Sequence, residues 1–243
     1  MVSQNRPKNF LQQGQKKNNT RWFLIGSVAV TAALYVIPFG RMIAYPLILL
    51  STLVHEMGHG LSALAVGAHF KAFHMWSDGS GVAYIDGQTN RVGHAIIAAG
   101  GLVGPAVAAS LCFIVAKKDA LARIFLTILG ASLIICEFLF VRNMFGWIFV
   151  GVLAAAFLWL AQQKRAWLAQ TSLVFVALQL SLSVFSRMDY LFMATAQTAQ
   201  GRMPSDVSQI ADALFLPYWV WGGVCAFFSL AVLFLGMRSY VRK

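Results

Sequence analysis

His55-Glu56-Met57-Gly58-His59 lies inside an apolar run covering residues 42–66. Residues four apart share one face of a helix, so the two imidazoles point the same way and Glu56 sits within a turn of both. This is the H-E-x-x-H arrangement, in which two histidines bind zinc and the glutamate serves water as general base. The chain holds five His and two Glu in 243 residues. Random placement would therefore produce the pattern at odds of roughly one in a thousand, a low false-positive risk for a short motif. The plainer alternative is a pair of core histidines satisfied by carbonyls, with Glu56 in a salt bridge. An unpaired charge in an apolar helix is costly and usually functional, which favours the metal.

Two histidines are not enough. A catalytic zinc site has three protein ligands and keeps one position open, so another segment must bring a third. His94, Glu137, Asp189, Asp206 and Asp212 lie in or near apolar segments. Asp189, in Ser186-Arg187-Met188-Asp189-Tyr190 near the end of the sixth apolar run, is the expected ligand, with Asp206 the runner-up. At 1.5 Å per residue His59 stands roughly 10 Å, and Asp189 roughly 6 Å, from the ends of their runs, which are compatible depths. Glu137, one turn before Arg142, is expected to pair with that Arg. His94 opens its span beside Arg91 as an interfacial residue.

The elements that must position these groups are membrane spans. The chain is 59% hydrophobic and 11% charged, with a mean hydropathy of +0.69, and several apolar runs reach the length of about 20 residues that crosses a bilayer. Spans are expected at 22–39, 42–66, 94–116, two within 121–161 divided near Arg142-Asn143, 171–193 and 215–237. Between 67 and 93 the pattern changes. Phe70 to Trp76 and Val82 to Ile85 are short β-prone runs separated by Ser77-Asp78-Gly79-Ser80-Gly81, the signature of a hairpin. The expected fold is an all-α polytopic membrane protein of about seven transmembrane helices, or six if one is re-entrant, with a small β-hairpin after the motif helix. Residues 1–21 read as a disordered basic tail, 22–243 as a single transmembrane domain, and 194–214 as a loop. In the third span, Gly100 and Gly104 form G-x-x-x-G, which lets a neighbouring helix approach closely.

The net charge of +11 belongs to the membrane. Basic residues cluster at the edges of apolar runs, as helix anchors do, and no basic block interleaved with aromatics suggests nucleic acid. Cys112, Cys136 and Cys225 lie in apolar runs without C-x-x-C spacing, so free thiols are expected. No cleavable signal is expected: the polar lead is long, and the apolar run after it exceeds a signal core. With the N-terminus inside, ten of the nineteen Lys and Arg fall on the inner side, which leaves orientation undecided by charge.

The motif, the Gly79-Ser80-Gly81 turn after it and the small-residue span ending Gly104-Pro105 together resemble the site-2 protease family of intramembrane zinc metalloproteases. The Trp-rich last span resembles its compact branch without PDZ domains, and the likeness covers about residues 45–235. It implies a Zn2+-dependent endopeptidase that hydrolyses peptide bonds of transmembrane protein substrates in the lipid bilayer, with Glu56 as base and His55 and His59 as ligands. It also implies a motif helix running from outside to inside, an inside N-terminus and a bacterial cytoplasmic membrane. The Asn-Pro-…-Leu-Asp-Gly segment that supplies the third ligand in common members is missing, so Asp189 matches no family motif. A helical substrate must unwind before cleavage. A hairpin edge could hold it by strand addition, which makes Gly79, Ser80 and Gly81 candidate substrate contacts. Two other readings are a transporter or channel using intramembrane His and carboxylates, and a proteolytically inactive scaffold. The intact Glu56 argues against the scaffold.

Overall fold

The computed structural model describes residues 26, 29, 40–186, 190–199 and 201–242. The expected tail, and all but two residues of the expected first span, lie outside the described residues. Six helices among the described residues are long and apolar enough to cross a membrane. They are α1 (Gly40–Ala65), α2 (Arg91–Val115), α3 (Asp119–Phe140), α4 (Met144–Gln162), α5 (Ala166–Ser186) and, after a shorter helix α6 (Asp206–Leu214), α7 (Tyr218–Val241). They match the second to seventh expected spans. Two antiparallel hairpins complete the fold: β1 (His69–Met75) with β2 (Gly81–Asp86), and β3 (Thr195–Thr198) with β4 (Gly201–Pro204).

Helix α2 is the hub, packed against α1, α5, α6 and α7. Its glycines explain how α1 comes so close. A Cβ at Gly100 would collide with Ser62 and the Gly58 carbonyl, and one at Gly104 would lie 3.3 Å from the Gly58 Cα. The expected G-x-x-x-G contact therefore exists, and its partner is the motif helix itself. Asn90 starts α2 by accepting the Gly93 amide at 2.7 Å, satisfying one of the unpaired N–H groups of the first turn.

Gly67, at φ +83°, ends α1 in the left-handed conformation that glycine adopts freely. The chain then turns back, and the first hairpin runs alongside the helix it has just left. A Cβ at Gly60 would meet the Phe70 ring. Thr52 Oγ1 donates to the Gly79 carbonyl at 2.8 Å, and the Tyr45 hydroxyl donates to the Ser77 carbonyl at 2.6 Å. These contacts span about 15 residues of α1, roughly 22 Å at 1.5 Å per residue. Strand backbone at membrane depth is tolerated only where protein covers it or where it lines a water-filled cavity. Phe73 and Met75, both fully buried, pack among Leu49, Leu53, Val141 and Val150. The break between α3 and α4 closes the other side. There the Arg142 amide donates to the Phe73 carbonyl at 3.1 Å.

Two expectations are corrected. Glu137 does not pair with Arg142 among the described ion pairs. The guanidinium instead donates to the carbonyls of Phe138, Leu139 and Val141, capping the end of α3. Those carbonyls have no helical partner, which makes them better placed acceptors than a carboxylate on another face. Glu137 is buried against Gly151 of α4, where a Cβ would stand 3.0 Å from its Oε1. The 194–214 stretch, expected as a loop, is the second hairpin followed by α6.

Candidate metal centre

His55 and His59 project from the second half of α1, where glycine contacts with α2 leave no freedom to shift. His59 is held from both ends of its ring. Its Nδ1 donates to the Ile97 carbonyl on α2 at 2.8 Å, and that bond leaves Nε2 with a lone pair turned inward. Gly101 makes space for the ring, since a Cβ there would overlap it. His55 stands edge-on to His59, with ring centroids 4.8 Å apart.

The third group is Asp206. Its Oδ2 lies 3.1 Å from His55 Nε2 and its Oδ1 3.4 Å from His59 Nε2, while the two Nε2 atoms are 3.2 Å apart. These residues are the candidate metal-binding group found among the described residues. Ligands about 2.0–2.1 Å from a tetrahedral zinc lie roughly 3.3 Å from one another. The observed separations, which run to the two different oxygens of the carboxylate, are of that size, and one ligand atom from each residue lies within 4.8 Å of the others. The donor set fits as well: two imidazoles and a carboxylate, with His55 and Asp206 buried and His59 partly so.

Asp206 reaches this position as the first residue of a well-capped helix. Ser205 Oγ accepts from the Ser208 amide at 3.3 Å and donates to the Met193 carbonyl at 2.5 Å. An acidic side chain in the first turn is also favoured by the helix dipole. The Tyr190 hydroxyl donates to Asp206 Oδ2 at 3.4 Å. Burial pushes the Asp206 carboxyl up, and the two imidazoles pull it down more strongly, holding it well below the usual carboxylate range. The anionic form so favoured is the one that could bind a metal.

Glu56 faces a different neighbour. Its Oε2 accepts from the Ala83 amide of β2 at 2.8 Å. Gly81 allows this approach, because a Cβ there would stand 2.9 Å from the Glu56 Cγ and 2.8 Å from Thr52 Cγ2. A cavity of about 30 Å³ opens beside His55, lined by Pro105, Ser183, Tyr190 and Ser229 among others. That is room for water beside the ligands.

Of the expected site residues, His55, Glu56 and His59 are where the motif puts them. Asp189 lies outside the described residues, and Asp206, the runner-up, is the carboxylate beside the histidines. His94 is exposed at the start of α2. Gly79 and Ser80 lie in the hairpin turn and Gly81 opens β2; in the turn Asp78 Oδ1 accepts from both the amide and the hydroxyl of Ser80. Ile97, Gly101, Tyr190 and the Ala83 amide carry no signal in the sequence, because each acts through a contact between distant segments.

A buried His/His/Asp group inside a polytopic helical fold defines an integral membrane protein with the donor set of a metal centre. A family model described as Peptidase M50B-like matches residues 25–236, and the chain belongs to that family, the site-2 protease family. No curated protein and no solved structure shows a significant match. The family implies a membrane metalloprotease, and the cluster is compatible with one.

Proposed function

We propose that the protein is a zinc-dependent intramembrane endopeptidase acting on transmembrane protein substrates. One observation carries this reading: His55 Nε2 and His59 Nε2, 3.2 Å apart on the helix that also carries Glu56, are met from a separate helix by the two oxygens of Asp206 at 3.1 and 3.4 Å. His55, His59 and Asp206 would hold the zinc. When bound, the metal supplies Lewis acidity, acidifying water and polarising a carbonyl oxygen.

The remaining steps belong to side chains and backbone of this chain. Glu56, beside His55, accepts a proton from the attacking water and returns it to the leaving amine, a role contributing about 10²–10⁴-fold in rate. The Ile97 carbonyl keeps His59 in one tautomer and orientation. The cavity beside His55 admits water while the surrounding helices exclude lipid. An unwound substrate segment is held extended against β2, with the Gly79–Gly81 turn fixed on α1 at one end of that edge.

Substituting Glu56→Gln tests this directly. The zinc content of the purified protein should stay at the wild-type level while cleavage of a reconstituted membrane substrate is lost. Cleavage retained at the wild-type rate would contradict the proposal. Zinc transport into proteoliposomes that depends on His55 and His59, without proteolysis, would support a transporter instead.

A further inference from the structure

The two outer edges of the first hairpin are in different states. On β1 the edge is already used: the Phe73 carbonyl takes the Arg142 amide, and the Asn143 side chain bonds Met75 twice. It accepts the Met75 N–H at 3.2 Å and donates to the Met75 carbonyl at 2.5 Å. Val141 adds a parallel bridge to Phe73. A further strand has no room there.

On β2 the outward groups follow from the ladder. Antiparallel partners alternate between residues that bond each other and residues whose N–H and C=O point away. Phe73 and Met75 point away on β1, and they stand opposite Ala83 and Gly81. Ala83 and Gly81 therefore face outward on β2, toward α1. The Ala83 N–H is taken by Glu56 Oε2. The general base thus occupies the donor that an incoming strand would use first.

We propose that the Glu56–Ala83 hydrogen bond is a latch on the general base, opened by the substrate. An extended peptide adding to β2 presents its own carbonyl to the Ala83 N–H and displaces the Glu56 carboxylate, which turns to the attacking water. A single N–H makes one good bond at a time, so docking and release of the base are one event. The hairpin need not move for this. Its tip is fixed independently by Thr52 on the Gly79 carbonyl and by Tyr45 on the Ser77 carbonyl. Segments that cannot extend along β2 leave the latch closed, which makes Ala83 a positioning residue that favours unwound over helical substrate. This rests on the proteolytic reading above.

Amide hydrogen exchange in the full-length zinc-loaded protein tests the latch without relying on turnover. The Ala83 amide should be protected in the wild type and should exchange at least about 10-fold faster in Glu56→Ala, the scale expected for one lost bond of about 1.4 kcal/mol. An alternating Ala-Val heptapeptide ending in a hydroxamate should restore protection in Glu56→Ala. Unchanged protection in Glu56→Ala, or no restoration by the peptide, would overturn the latch. A second variant reads the same bond through kinetics. Ala83→Pro removes the N–H at an outward position where no ladder bond is lost. With a fluorogenic Ala-Val peptide, KM should rise about 10-fold while kcat is maintained or increased. A fall in kcat at unchanged KM and zinc content would overturn the proposal. Failure of the proteolytic reading would look different: no cleavage by the wild type, with the exchange pattern intact.

Discussion

The histidine side and the aspartate side of the candidate metal centre are built on opposite principles. His55 and His59 ride on a 26-residue helix whose neighbour α2 touches it backbone to backbone through Gly58, Gly100 and Gly104. Asp206 rides on a 9-residue helix placed by caps: Ser205 at its start and Phe215, in the left-handed conformation at φ 66°, at its end. Close packing resists displacement because interiors tolerate little added volume. The short helix buries Val207 and Ile210 in a core shared with α2, but its ends resist less, since each cap contributes only about 1 kcal/mol. The centre is therefore a rigid two-histidine half completed by a more adjustable carboxylate.

That difference can be broken from the rigid side first. Replacing His55 by Ala should weaken zinc binding by about 10²-fold or more, beyond the 10–100-fold that loss of a supporting residue costs, as read by competition with a chelator. Gly101→Val should come next. The added side chain would drive into the His59 ring, and overpacking of this kind costs about 1–3 kcal/mol. A fall in the thermal midpoint together with weaker zinc binding is expected. A variant as stable and zinc-replete as the wild type would show that the seam is looser than the contacts imply.

On the aspartate side the effects should be smaller. Ser205→Ala removes an N-cap, with a cost of about 1 kcal/mol. Faster amide exchange confined to α6 and a few-fold weaker zinc binding are the expected signs. The smallest effect concerns the hairpin turn. Bonds from the Ser80 hydroxyl and amide hold the Asp78 carboxyl below its ordinary value. Its contribution is thus present above the unfolded carboxylate value of about 3.9 and is lost as pH falls through the lowered folded value. Protection of the Ser80 amide should disappear in that acid window and remain flat from neutral pH down to about 5.

How much could be read in the chain alone follows the same division. The histidine half was legible because its signal is local: a four-residue spacing within one helix, glycines four apart in the next span, and turn residues between β-prone runs. The break at Arg142-Asn143 was legible as charge and amide interrupting an apolar stretch. Asp206 is harder to rank from sequence, because residues 194–214 lack an apolar run that would place a carboxylate at the depth of the histidines. A usable signal was present. Ser205 precedes Val207, Ile210 and Ala213, an N-cap followed by apolar residues at helical spacing. The pairing expected of Glu137 with Arg142 failed because sequence proximity says nothing of the free carbonyls at a helix end. Contacts such as Ile97 with His59, or Ala83 with Glu56, join residues 38 and 27 positions apart and leave no periodic trace.

The central question is which carboxylate completes the site. Zinc content measured on purified wild type, Asp206→Ala and Asp189→Ala, under identical loading and dialysis, addresses it most directly. Stoichiometric zinc in the wild type and in Asp189→Ala, with zinc lost from Asp206→Ala, is the predicted result. Full zinc retention in Asp206→Ala, with loss in Asp189→Ala, would contradict it.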